Sequence, residues 1–218
     1  MSHALHHDSS AWTEAQPILS VLIPFLRDDP TDLLQRLDAE APGLAGQAEL
    51  IVLDDGTKDA ALTARLSALI DGMALPARLI SLDANQGRSE GRNRLAQAAR
   101  GQTFLFLDSD MRPDHPGFLK TWVDLARDAH PAVAFGGFSL LQAPQDARFA
   151  VHRHMAARSD CIPAPQRAEQ PEKYVFTSNL LVRRDVFDTE TFDSGFSGWG
   201  WEDVEWAMRA SRRFEVAH

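Results

Sequence analysis

Along the first half of the chain, four short apolar runs alternate with segments of helical periodicity, and this alternation restricts the fold more than any other feature. Ile18 to Phe25 reads as a buried strand with Pro24 near its end. Asp29-Pro30 then supplies a cap and a first-turn proline for a helix with Leu33, Leu34 and Leu37 on one face. Glu49 to Leu53 predicts a second strand closed by the turn Asp54-Asp55-Gly56-Thr57, after which Leu62, Leu66, Leu69 and Ile70 repeat at helical spacing. Arg78 to Leu82 is a third strand. Asn85-Gln86-Gly87 opens a helix through Ala99, and Gly101 precedes a fourth strand, Thr103 to Leu107. The repetition predicts an α/β domain with a mostly parallel central sheet covered by helices on both faces. Such sheets bind ligands outside the carboxyl ends of their strands, where Asp54-Asp55 and Asp108-Ser109-Asp110 fall.

Beyond Asp110 the pattern is less regular. Pro116 to Asp128 and Glu202 to Arg212 predict helices, and Ala132 to Leu141 and Val175 to Val182 predict strands. The short run Phe214 to Ala217 is expected to return as a strand toward the ligand edge. Between Gln142 and Lys173 the chain is rich in Ala, Pro, Gln and charge, the composition of a lid or binding loop. Residues 1–16 are expected as a frayed tail, since Met1 to Ser10 holds three histidines and Asp8 but neither a basic nor an apolar run.

Charge and cysteine usage narrow the function classes. Thirty-one acidic residues against 22 basic ones give a net charge of −9, which argues against a sequence-independent nucleic-acid binder. Any anionic ligand then needs a local basic site or a metal. The longest mostly apolar run, Ile18 to Leu26, is less than half of the ~20 residues of a membrane span. Cys161 is the only cysteine, so no internal disulfide is possible and a cytoplasmic protein is expected.

Three segments carry candidate chemistry. Asp108 and Asp110 lie two apart at a strand end, so their side chains leave on one side and converge. Two close carboxylates suit a hard cation, Mn²⁺ or Mg²⁺, bridged to phosphates. An isolated D-x-D is equally well a turn acid plus a helix cap, and its place at the ligand edge is what favours the cation. In Asn85 to Arg94, Arg88 and Arg92 share a face near a helix start, a setting for a diphosphate or equally for a solvated basic face. Neither G-x-x-x-x-G-K-[ST] nor G-x-G-x-x-G is present, which argues against a P-loop and a dinucleotide cofactor. The third segment, Gly195 to Asp203, alternates glycines with aromatics and ends in Glu202-Asp203 at the first turn of a helix. A carboxylate there can accept a proton from a hydroxyl, and an exposed indole can stack on a sugar face. Packing tryptophans and dipole-complementing acids are the alternative. His152 and His154 are two apart in an expected helix, so they face different ways and make a poor metal pair, and Arg148, Arg153 and Arg158 read as a solvated helix face in preference to contacts for an anionic acceptor or membrane. Ser178 lacks a nucleophile elbow.

In order and spacing, Ser20 to Phe25, Asp54-Asp55-Gly56-Thr57, Asn85-x-Gly87 with Gly91-Arg92-Asn93, Asp108-Ser109-Asp110 and Gly198 to Asp203 resemble the inverting family 2 glycosyltransferases of GT-A fold. The Gly-Trp-Gly-x-Glu-Asp segment also resembles the acceptor motif of galactosyl- and N-acetylgalactosaminyltransferases. The resemblance covers residues 17–218 and implies one glycosyltransferase domain, with a nucleotide-sugar half (17–110) and an acceptor half (111–218). It implies a donor site of Pro24, Phe25, Asp54, Asp55, Gly87, Arg88, Arg92, Asp108 and Ser109, and an acceptor site of Trp199, Gly200, Trp201 and Glu202. Asp203 would be the base with Glu202 beside it, and Asp108, Asp110 and His218 would hold Mn²⁺ or Mg²⁺. The implied activity moves a sugar from a nucleotide-diphosphate sugar, expected to be a UDP-sugar, to a hydroxyl of a glycan or other acceptor. Such a role belongs to polysaccharide or glycoconjugate synthesis in the cytoplasm or peripherally on the inner membrane face. The alternatives are a catalytically silent nucleotide-sugar-binding subunit and a sugar-phosphate nucleotidyltransferase. The latter lacks its glycine- and arginine-rich loop here, since Pro24-Phe25-Leu26-Arg27 follows the first strand.

Overall fold

A computed structural model describes residues 4–13, 15–196 and 200–218. Four parallel strands form its centre: β2 (Leu19–Phe25), β3 (Ala48–Asp54), β4 (Ala77–Leu82) and β5 (Thr103–Leu107). Between them run α1 (Thr31–Asp38), α2 (Ala60–Asp71) and α3 (Arg88–Ala98). All four strands and three helices match the sequence expectation to within a residue or two. Pro30 is the N-cap residue of α1, with Asp29 before it accepting from the amide and hydroxyl of Thr31, and Asp59 caps α2 through the amides of Ala61 and Leu62.

Alternation along the strands divides the core. Val21, Ile23, Leu50, Val52, Leu105 and Leu107 face one layer with Leu33, Leu34, Leu37, Leu62, Leu66 and Ile70. Leu22, Ile51, Leu53, Phe104 and Phe106 face the other, with Leu95 of α3. Both faces of β2 and β3 are therefore apolar, as in a covered parallel sheet.

The second half extends the same sheet. It adds α4 (Phe118–Asp128), β6 (Val133–Phe135), α5 (Ala150–Ser159), α6 (Ala164–Arg167), β7 (Asn179–Arg183), α7 (Arg184–Thr189), α8 (Glu202–Ala210) and β8 (Val216–Ala217). The strand order is β1-β4-β3-β2-β5-β7-β6-β8, with β7 antiparallel to both β5 and β6 and β8 parallel to β6. Strand β6 is shorter than expected because Gly137 turns the chain at a φ of +82°. The stretch expected as a loop between Gln142 and Lys173 contains α5 and α6.

The amino-terminal residues correct the expectation of a frayed tail. Ala4–Asp8 form β1, antiparallel to β4. Arg78 of β4 donates to both carboxylate oxygens of Asp8, at 2.6 and 2.7 Å. Trp12 is buried between the guanidiniums of Arg78 and Arg100, 4.4 and 3.8 Å from its ring. Arg100 in turn pairs with the buried Glu49, which also accepts from the Ser20 hydroxyl. No described helix is long and apolar enough to cross a membrane.

Candidate active site

Strands β3 and β4 lie to one side of β2 and β5 to the other, so the chain reverses its progress across the sheet between β2 and β5. A crevice forms at the carboxyl ends of strands at such a point. Here it is a cleft of about 880 Å³, lined by Pro24 and Phe25 from β2, Asp55 after β3, Gly87, Arg88 and Arg92 at the start of α3, and Asp108, Ser109 and Asp110 after β5. Gly200, Trp201, Glu202 and Asp203 close the opposite wall. Asp54 and His218 are not in the wall, and Trp199 lies outside the described residues.

The acids after β3 serve the loop that carries α3. Asp54 accepts from the amide of Thr57 at 2.8 Å and closes its own turn. Asp55 accepts from the amides of Gln86 and Gly87 at 2.7 and 3.0 Å. Between them Gly56 sits at a φ of +83°, where an added Cβ would lie 2.6 Å from the amide nitrogen of Asn85, so only glycine allows this approach. The clasp aims the α3 amino terminus into the cleft, where its dipole and the half-exposed Arg88 favour an anion.

Arg92 lines the cleft from within its wall. Its nearly buried guanidinium donates to Glu202 at 3.1 Å and to Asp108 at 3.2 Å, and so bridges the two acidic motifs from inside the wall. Arg88, half-exposed in the same wall, lies 3.9 Å from Glu202. Glu202 is buried and pairs with Arg92 through Oε1 while lining the cleft.

The two D-x-D acids differ. Asp108 uses one oxygen for Arg92 and the other for the Ser178 hydroxyl at 2.6 Å. Asp110 opens into the cleft, and partial burial with Asp108 close by raises its carboxyl above the ordinary value. Asp203 is raised as well, first by burial and then by Glu202, against the lowering effect of the amide of Val204 and of Arg92. A carboxyl shifted in this direction is a stronger base toward a hydroxyl proton. Trp201, 72% exposed, stands at the rim with a left-handed φ of +75° just before α8. Trp206, by contrast, is core, stacked on Phe192.

His218 lies away from this cleft. Its Nδ1 accepts from Arg167 at 3.1 Å and its Nε2 lies 3.1 Å from the Pro171 carbonyl, while burial lowers its pKa. Strand β8 does run toward the ligand edge, but β7 and β6 separate it from β5. Among the described residues no three His, Cys, Asp or Glu side chains form a metal-binding group. Ser178 is one of the wall residues, with Leu26, Asp28, Phe176, Thr177 and Val204, that the sequence did not nominate. It precedes β7, whose register sets Asn179 opposite Leu107, and only that pairing brings the hydroxyl to Asp108.

Residues 20–190 match the family described as Glycosyl transferase family 2. No match is found among curated proteins. Among solved structures the chain is similar to the mannosyltransferase PcManGT from Pyrobaculum calidifontis in complex with GDP-Man and Mn²⁺, at 15% identity and a TM-score of 0.63, over 94% of this chain and 55% of that one. It is also similar to S. aureus TarS 1-349, at 18% identity and a TM-score of 0.57, over 88% and 54%. A third is glucosyl-3-phosphoglycerate synthase from Mycobacterium tuberculosis in complex with phosphoglyceric acid, at 19%, 0.58, 95% and 70%. The chain thus spans little more than half of the first two, and the fold it shares with them is that of GT-A glycosyltransferases.

Proposed function

Because the chain belongs to glycosyl transferase family 2, we propose that its cleft moves a sugar from a nucleotide-diphosphate sugar to an acceptor hydroxyl with inversion at the anomeric carbon. The observation that carries this reading is the meeting in one cleft of an anion site, at Arg88 and the α3 amino terminus, with a raised carboxyl, Asp203, on the facing wall. The acceptor oxygen attacks the anomeric carbon while the bond to the diphosphate oxygen breaks. Asp203 takes the hydroxyl proton, and the departing oxygen keeps the bonding pair and is met by Arg88 and the α3 amides. Trp201 offers its exposed face to the acceptor sugar. Arg92 and Glu202 position the acids from behind.

The donor set also fits a hard divalent cation. Asp110 offers oxygen beside a second carboxylate, and its pKa is raised first by burial and then by the negative charge of Asp108, which a cation would relieve. Such ions keep several waters and use one or two carboxylates plus substrate phosphates, so the lack of a third protein ligand is no obstacle. Mn²⁺ or Mg²⁺ bound at Asp110 would offset the charge of the leaving diphosphate.

A UDP-sugar is the proposed donor, an acceptor of the glycan type the proposed partner, and polysaccharide or glycoconjugate synthesis on the cytoplasmic side the proposed setting. The test is release of nucleoside diphosphate from UDP- and GDP-sugars by the parent and by Asp203→Asn. The parent should turn over with a UDP-sugar, and the variant should lose a factor on the order of 10²–10⁴ in kcat with donor affinity nearly unchanged. Equal rates in the two proteins would remove Asp203 from the role of base, and turnover with GDP-sugars alone would replace the donor.

A further inference from the structure

From Ser139 to Asp160 the chain leaves the body of the domain, and Ala156 is the one residue that α5 buries. A ten-residue helix held by so little is marginal in water. Its two sides differ. Phe149, His152 and Arg153 turn inward and roof a second cleft of about 780 Å³, which meets the first at Asp110 and Ser178. On the outer side Val151, Met155 and Arg158 follow at helical spacing, with Val151 72% and Met155 63% exposed.

The charge of this segment opposes that of the molecule. Residues 146–160 hold Arg148, Arg153 and Arg158 against Asp146 and Asp160, an excess of one positive charge in a chain whose net charge is −9. The exposed Arg148 pairs with Asp146 at 3.0 Å, Arg158 makes no ion pair among the described residues, and Arg153 donates to the backbone carbonyls of Pro144 and Asp146. Exposed Val and Met flanked by arginines is the pattern of a helix that lies in a lipid interface. Apolar side chains there enter the acyl boundary while guanidiniums stay among the phosphates. A second copy of the chain fits less well, because a two-fold contact through this helix would set arginine against arginine.

We infer that the outer face of α5 docks the protein on an anionic lipid bilayer and so holds the second cleft at the membrane surface. The contact extends the proposed transfer reaction but does not depend on it, since binding is read without turnover. The experiment is co-sedimentation of the full chain with vesicles of phosphatidylcholine alone and of phosphatidylcholine containing one-third phosphatidylglycerol, at low and high salt. Binding should appear with the anionic vesicles and weaken with salt. Each arginine near such a surface contributes about fivefold in partitioning, so Arg148→Gln with Arg158→Gln should lower binding by more than tenfold. Val151→Ser with Met155→Ser should lower it comparably at either salt concentration. None of the four residues is buried, so the melting curves should match that of the parent. No sedimentation of the parent with anionic vesicles overturns the inference, as does equal binding to neutral vesicles. A parent dimer that the Val151→Ser, Met155→Ser variant dissociates would overturn it in favour of a self-contact.

Discussion

Arg92 and Glu202 act on Asp203 with opposite signs, and this fixes how activity should depend on pH. Asp203 must be ionised to accept a proton, so turnover falls as pH drops through its raised pKa. Removing the cation with Arg92→Gln takes away a lowering influence and moves the acid limb of kcat to higher pH. Glu202→Gln removes a neighbouring negative charge and moves the limb to lower pH. A kcat profile of each variant checks the pair, and a shift in the same direction in both would mean that another group governs the limb. Arg92→Gln should also cost about 3–5 kcal/mol of stability, because it leaves Glu202 buried without its partner. Much of this site was legible residue by residue. Asp108, Asp110, Glu202 and Asp203 stand out by their place at a strand end and a helix start, and the structure brings all four to one cleft. Which of them faces the ligand was not legible. The occupation of Asp108 by Arg92 and Ser178 depends on pairing across 16 and 70 residues, and no local spacing encodes it.

Elements with a strong period were readable and the sheet edges were not. Strands β2, β3 and β5 are buried along nearly their whole length, so their apolar runs announce them. Strand β1 has the sequence Ala-Leu-His-His-Asp and hides its one-sided pairing behind two histidines. What fixes it is distant: Arg78 on Asp8, and Trp12 enclosed by Arg78 and Arg100. Trp12→Ala should therefore destabilise the whole domain, by about 3–5 kcal/mol. Chemical denaturation reads the loss, and a change under about 1 kcal/mol, the usual surface effect, would return residues 4–12 to the status of a tail. Helix α5, expected around His152 and His154 and found over Ala150–Ser159, gave a weaker signal for the complementary reason. Its Ala, His and Arg residues carry no core-facing period, because its inner side roofs a cleft instead of packing on the sheet.

At the scale of the whole molecule the difficulty is charge. On the proposed reading a protein of net charge −9 admits a polyanion, and the first cleft is itself acidic, with Asp28, Asp55, Asp108, Asp110, Glu202 and Asp203 in its wall against Arg88 and Arg92. Arg92 pairs with Glu202 and Asp108 and Arg88 lies 3.9 Å from Glu202, so in the proposed reaction the α3 amino terminus shares the diphosphate with side chains that acids of the wall already contact. A divalent cation changes the sign of the contact at Asp110, and by linkage nucleotide and metal must each raise the affinity of the other by the same factor, typically about 5–150-fold. Calorimetric titration of UDP with and without Mn²⁺ should show that gain in the parent. In Asp110→Asn the gain should largely vanish while metal-free affinity for UDP rises, since a like charge has been removed from the wall. The direction of that second change is the decisive reading. A fall in metal-free affinity would mean that Asp110 contacts the nucleotide directly, and an undiminished metal effect would place the cation on other acids of the cleft.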